Sequence, residues 1–117
     1  MLADHGEEAS LLAGGQSLMP VMNFRMATPR YLIDIFNLAE LKSYHPAGKS
    51  LRIGATNTQS ALLAKTDDRA DLIRAVVANI GHAAVRNRGT VGGSLCFNDP
   101  AAEWPALPRG GGRYRAQ

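Results

Sequence analysis

A single cysteine, Cys96, stands in the whole chain, which excludes an internal disulfide framework and any cysteine-cluster metal site. Only three histidines occur, His5, His45 and His82; they are widely spaced and none forms a ligand pair with another or with Cys96. No apolar run approaches the ~20 residues that a membrane-spanning helix needs. The opening residues, with Asp4, Glu7 and Glu8 among few apolar ones, do not read as a secretory signal. The expectation is a soluble, cytoplasmic protein. Charge is scarce as well: the formal net charge is +3, and Arg109, Arg113 and Arg115 at the C-terminus account for the excess. A body close to neutral argues against nucleic acid as the partner, and the Arg/Gly tail with its lone Tyr114 is thin support for it.

Two well-known phosphate motifs are also missing. No G-x-G-x-x-G is present, so the dinucleotide fingerprint of a Rossmann domain is absent. Ala47-Gly48-Lys49-Ser50 matches the end of a P-loop, but its opening glycine position is Ser43, and a hairpin turn explains Gly48 better. No Ser/His/Asp or Cys/His arrangement is legible, and Ser17 lacks the G-x-S-x-G setting of a nucleophile. No catalytic acid, base or nucleophile is assigned, and no metal site.

What the chain does hold is two glycine-centred segments: Leu11-Leu12-Ala13-Gly14-Gly15-Gln16-Ser17, and Gly89-Thr90-Val91-Gly92-Gly93-Ser94. Adjacent glycines open backbone conformations closed to other residues and let a ligand approach without a Cβ in the way. A strand running into Gly14-Gly15 and on into a helix would gather free N–H groups at the positive end of a helix dipole, an arrangement suited to an anion. Either segment alone reads better as a tight turn that binds nothing. Two in one small domain suggest a shared backbone cradle for a phosphate-containing ligand. Arg86 and Arg88 stand near the second segment and could approach a phosphate, though a solvated loop accounts for them better; Asp99 and Glu103, close behind it, are open to a ligand role or a surface role.

The local pattern predicts the following order. Residues 1–9 end a short helix, with Gly6 poorly placed for its interior. Ser10 to Ala13 form a strand, and Ser17 N-caps a helix to about Met26 with Pro20 in its first turn. Tyr31-Leu32-Ile33-Asp34-Ile35 is a buried or half-buried strand, and Ser43 to Pro46 with Leu51 to Gly54 make a hairpin. Thr56-Asn57-Thr58-Gln59 has capping-box spacing ahead of a short helix. Leu72, Val76 and Ile80, with Ile73 and Val77, mark the buried stripe of a longer helix. Asp67, Asp68 and Asp71 lie near its start and Gly81 at its end. His82 follows as a hydrogen-bonding partner for the exposed carbonyls, then a loop at Arg86-Asn87-Arg88. The last element is a strand over Ser94-Leu95-Cys96-Phe97, in which Cys96 packs as a small hydrophobe. The Pro108 to Gln117 tail has no apolar period and reads as disordered.

The motifs together resemble a known family. Leu12-Ala13-Gly14-Gly15-Gln16-Ser17-Leu18-Met19-Pro20 followed by Asn23-Phe24-Arg25, then Tyr31-Leu32-Ile33-Asp34-Ile35, and the run from Ile80 through Gly89-Thr90-Val91-Gly92-Gly93-Ser94-Leu95 to Asn98-Asp99-Pro100-Ala101-Ala102-Glu103 are similar to the FAD-binding domain of molybdopterin dehydrogenases. The look is that of the medium, flavoprotein subunit of carbon monoxide dehydrogenase-type enzymes, relatives of the xanthine dehydrogenase flavin subunit. The resemblance implies an α+β, PCMH-type FAD-binding fold of two α+β subdomains, about 1–54 and 55–107, that grip FAD between them. It implies that Ala13, Gly14, Gly15, Gln16 and Ser17 hold the pyrophosphate together with Thr90, Val91, Gly92, Gly93 and Ser94. It further implies that Ile80 lines the flavin pocket and that Glu103 hydrogen-bonds the ribityl or ring region. In such a family the subunit takes electrons from a [2Fe–2S] small subunit, fed by a molybdenum-cofactor large subunit, and the flavin passes them to an external acceptor. Against the family pattern this chain is shortened at both ends, with an incomplete second subdomain and a non-family tail over 108–117. That predicts poor FAD binding by the chain alone, and leaves as the alternative a noncatalytic fragment without competent flavin binding.

Overall fold

The computed structural model describes residues 1–48, 50–67, 70–99 and 101–104. The 108–117 tail and Asp68 lie outside these residues.

Near the N-terminus a four-residue helix, α1 (Leu2–His5), stops at Gly6, whose φ of +50° leaves the helical region. A single 3₁₀ turn, Gly6–Glu8, leads into strand β1 (Ala9–Leu12). Helix α2 (Leu18–Asn23) follows, and then strand β2 (Tyr31–Asp34). β1 and β2 pair in parallel, with Ala9 opposite Tyr31 and Leu12 opposite Asp34. The ladder extends at both ends through Arg30 N–H to the Glu8 carbonyl and Ile35 N–H to the Leu12 carbonyl, each 2.9 Å. Two departures from expectation lie here. α2 ends at Asn23 rather than Met26, because Arg25 takes a left-handed φ of +55° and closes the turn. β2 is mostly solvent-facing, with Tyr31 42% and Leu32 40% exposed, so its apolar run does not denote burial.

The hairpin forms as its turn chemistry predicts: β3 (Tyr44–Ala47) and β4 (Ser50–Ile53) are antiparallel, with Ala47 opposite Ser50 and Gly48 at φ +54° in the turn. Tyr44 Oη donates to Asp67 Oδ2 at 2.7 Å, and Lys65 Nζ lies 4.6 Å from the Tyr44 ring centroid, so the hairpin is tied to the chain that follows α3.

The core sits in the second half. Ile53, Leu62, Ile73, Val77, Ile80, Val91 and Trp104 form one buried cluster. α3 (Gln59–Leu63) supplies Leu62, and α4 (Ala70–Val77) supplies Ile73 and Val77 at i, i+4 spacing. Leu72, expected in the stripe, is 49% exposed; the buried face runs through Ile73 and Val77, where α4 ends short of Gly81, and Ile80 is buried in the turn that follows. The N-cap of α3 is Thr58, whose Oγ1 accepts from Ala61 N–H at 3.1 Å, rather than Thr56 of the capping-box spacing. Thr56 is buried and belongs to the turn before the helix.

Two segments change class. Arg86, Asn87 and Arg88, read as a loop, end helix α5 (Ala83–Arg88), started by two alanines and closed by Gly89. Ser94 to Phe97, read as a strand, belong to helix α6 (Val91–Phe97). Thr90 caps it, and Val91 and Leu95, one turn apart, both face the core, whereas Phe97 is 48% exposed. A strand would have put Leu95 and Phe97 on one face. Asn98, left-handed at φ +53°, ends the helix. Cys96 is consequently exposed on α6 and is not a core residue. Strands and helices together make an α+β arrangement.

Candidate functional site

The first glycine segment, residues 13–17, bridges β1 and α2. Gly15 has φ +74°, a conformation L side chains rarely adopt. Gly14 is constrained differently: a Cβ built on it would fall 2.0 Å from the Arg88 carbonyl oxygen and 3.1 Å from Gly89 Cα. The loop therefore lies flat against the end of α5. Ser17 occupies the N-cap position of α2 without a side-chain capping bond. Among the described residues, the backbone N–H groups of Gly14, Gly15, Gln16 and Ser17 find no acceptor. Polar backbone groups in native proteins are nearly always paired with protein, water or ligand, so four successive free donors constitute a concentrated acceptor-seeking surface.

The second segment abuts the first. A Cβ on Gly93 would sit 3.7 Å from the Cβ of Ala13 and 2.7 Å from Thr90 Oγ1. Its amides are already used. Val91 N–H donates to the Asn57 carbonyl at 3.1 Å, Gly92 N–H to Ala55 at 2.8 Å, and Ser94 N–H to Thr90 at 3.1 Å, while Gly93 N–H reaches Thr90 Oγ1 at 3.2 Å. Gly92 is a packing glycine: a Cβ there would meet the Ala55 Cβ at 2.6 Å. The two segments thus share one locality but differ in kind. The first presents free amides; the second presents a wall whose amides are bonded within the protein.

That wall is braced by residues 55–59, a contribution not visible in the sequence, where this run read only as a helix cap. Thr58 and Thr90 form an antiparallel bridge, and Gln59 N–H donates to the Gly89 carbonyl at 2.9 Å. Asn57, buried, donates through Nδ2 to the carbonyls of Ser43 at 2.8 Å and Gly54 at 3.1 Å. Ile80 packs in the same core cluster as Val91. Glu103 is half-buried beside Trp104, and no hydrogen bond or ion pair ties it to either glycine segment. Asp99 is engaged locally: its Oδ1 accepts from Ala101 N–H at 2.9 Å, forming a turn. His82 does not serve the carbonyls after α4. Arg86 does, donating through Nη1 to Ile80 at 3.0 Å and Gly81 at 3.2 Å.

The sequence profile described as the FAD binding domain in molybdopterin dehydrogenase matches residues 1–108. The chain belongs to this FAD-binding domain family. Its relatives within the family include the 6-hydroxypseudooxynicotine dehydrogenase complex subunit alpha of Paenarthrobacter nicotinovorans, 40% identical over 109 residues, a stretch that is 92% of this chain and 37% of that subunit. Among solved structures, carbon monoxide dehydrogenase from Hydrogenophaga pseudoflava superimposes with a TM-score of 0.85 at 39% identity, over 91% of this chain and 38% of that one. Quinoline 2-oxidoreductase from Pseudomonas putida 86 gives 0.82 at 41% identity, again over 91% and 38%. The chain spans little more than a third of these relatives' length.

Proposed function

We propose that this member of the FAD-binding domain family holds FAD by its pyrophosphate, as part of the medium, flavoprotein subunit of a molybdenum hydroxylase-type oxidoreductase in the cytoplasm. FAD, when bound, carries the redox chemistry; the protein contributes binding and placement. The observation that carries this reading is the run of amides from Gly14 to Ser17, unpaired among the described residues, beside a second segment in which a Cβ on Gly93 would lie 3.7 Å from that of Ala13. Negatively charged phosphate oxygens are the acceptors such a run suits.

In this reading Ala13, Gly14, Gly15, Gln16 and Ser17 donate to the pyrophosphate. Thr90, Val91, Gly92, Gly93 and Ser94 form the opposing wall. Ile80 lines the flavin end, and Glu103, half-buried and without a hydrogen-bond or ion-pair partner among the described residues, accepts from ligand hydroxyl or ring N–H groups. The subunit would receive electrons from a [2Fe–2S] small subunit, itself supplied by a molybdenum large subunit, and deliver them through FAD to an external acceptor.

Titration of the chain into FAD, followed by quenching of flavin fluorescence, tests the reading. Saturable quenching that ADP competes away supports it. Absence of quenching at any concentration would leave the alternative, a fragment without competent flavin binding.

A further inference from the structure

Beside the amide run stands a group of side chains that the glycine motifs do not include. Phe36 follows Ile35, whose N–H continues the ladder onto Leu12, so Phe36 lies where β1 runs into the first glycine segment. Two cations sit over its ring: the Arg88 guanidinium, 4.2 Å from the centroid, and Lys42 Nζ at 5.1 Å. Arg88 also has its backbone carbonyl pressed against Gly14. Neither Arg88 nor Lys42 forms an ion pair among the described residues. Of the carboxylates flanking these residues in sequence, Asp34 is turned onto the chain itself, its Oδ1 accepting from Phe36 N–H at 2.8 Å, and Glu40, two residues before Lys42, is exposed and forms no ion pair with either cation among the described residues.

A structural clip would need one cation on the ring, and an ion pair would hold it more firmly. Two cations without an ion pair among the described residues share one half-buried aromatic, and the backbone of Arg88 adjoins Gly14 in the loop of four free N–H donors, so positive potential gathers beside that loop. The Phe36 ring holds the guanidinium without cancelling its charge, leaving its N–H groups to bind a planar pair of oxygens.

We propose that Arg88, steadied by Phe36 and accompanied by Lys42, supplies the cationic side chains of the anion site on residues 14–17, and so selects ligands that carry a diphosphate. The proposal rests on the FAD-binding reading and adds to it the residues that recognise charge. The amides hold the oxygens; Arg88 and Lys42 offset the accumulated negative charge.

The test uses the full chain labelled with ¹⁵N, with ADP, inorganic pyrophosphate and adenosine as probes. ADP and pyrophosphate are expected to shift the amide resonances of Gly14, Gly15, Gln16 and Ser17, with half-saturation moving to higher concentration as salt is added; adenosine leaves them in place. Arg88→Gln is expected to raise the half-saturating ADP concentration about tenfold or more, the worth of one charge-assisted hydrogen bond. Arg88→Lys recovers part of that loss, Phe36→Leu reproduces part of it, and Phe36→Trp binds as the parent does. If Arg88→Gln binds ADP as tightly as the parent, or if Arg88→Gln and Phe36→Leu lower the melting temperature alike without weakening ADP, Arg88 is a structural clip and the proposal is overturned while the FAD reading stands. A parent chain whose amides respond to neither ADP nor FAD overturns both.

Discussion

Gly14 and Arg88 touch backbone to backbone: no side-chain atom of any size fits between the Gly14 Cα and the Arg88 carbonyl, which a Cβ would approach to 2.0 Å. This contact joins the β1–α2 turn to the end of α5, and with Gly93 against Ala13 it sets how far apart the two glycine segments stand. Gly14→Ala therefore demands that the backbones separate, since no rotamer change relieves a clash with main-chain atoms. The substitution is expected to cost at least about 1–3 kcal/mol. Gly6→Ala makes the control: φ is +50° there but nothing lies within 4 Å, so only the left-handed backbone is penalised, by about 1–2 kcal/mol. Urea denaturation of both variants checks the order, and only Gly14→Ala should also weaken ADP binding.

Thr90 performs two tasks with one hydroxyl-bearing residue. Its Oγ1 accepts from Gly93 N–H and so starts α6, while its carbonyl accepts from Ser94 N–H. Thr90→Ala should cost about 1–2 kcal/mol as a lost N-cap. Thr58→Ala removes the equivalent bond from Ala61 N–H at α3 and should fall in the same range. The two diverge in the wall of the candidate site: hydrogen exchange at Gly92 and Gly93 is expected to accelerate in Thr90→Ala and to stay near parent values in Thr58→Ala.

Core burial ranks the apolar residues of α4 sharply. Ile73 is 1% exposed and Val77 is fully buried, whereas Leu72, their neighbour, is 49% exposed. Ile73→Ala should cost about 2–5 kcal/mol through lost burial and a cavity. Leu72→Ala should stay within about 0.5 kcal/mol. A reversal of this order in denaturant midpoints would place the helix in a different rotation.

The elements that were legible in the sequence are those with local punctuation. Gly48 between two short apolar runs is enough for a hairpin, and Gly14-Gly15 after Leu11-Leu12 is enough for a strand-to-turn junction. The elements that were not legible lacked such cues. Ser94 to Phe97 is too short to display a period, and its helical state is set from outside, by Thr90 and by Leu95 packing one turn beyond Val91. Arg86-Asn87-Arg88 looks like a solvated loop, yet Arg86 is consumed by two carbonyls after α4. In the candidate site, both glycine segments could be named from sequence, but not which one keeps its amides free. That distinction depends on residues 55–59 docking beneath Val91 and Gly92, a long-range pairing with no local signature. The Phe36–Arg88 stack is hidden for the same reason.

The same docked segment holds a paired contrast in buried polar groups. Thr56 is 1% exposed, its N–H donates to the Leu41 carbonyl at 2.9 Å, and its Oγ1 has no hydrogen-bond partner among the described residues. Asn57, next to it and 7% exposed, places Nδ2 on two carbonyls. A buried hydroxyl without a partner costs about 1–3 kcal/mol, and valine has nearly the same shape without that penalty. Thr56→Val is therefore expected to stabilise the chain by about 1 kcal/mol, enough to raise the melting temperature by roughly 4 °C for a domain of this size. Asn57→Ala goes the other way, by about 1–3 kcal/mol, because it removes two buried hydrogen bonds, to the Ser43 and Gly54 carbonyls, and a brace behind Val91. Thermal melts of the two variants against the parent decide the matter. If Thr56→Val melts lower than the parent, the hydroxyl is satisfied in solution, and the turn before α3 owes part of its stability to that bond.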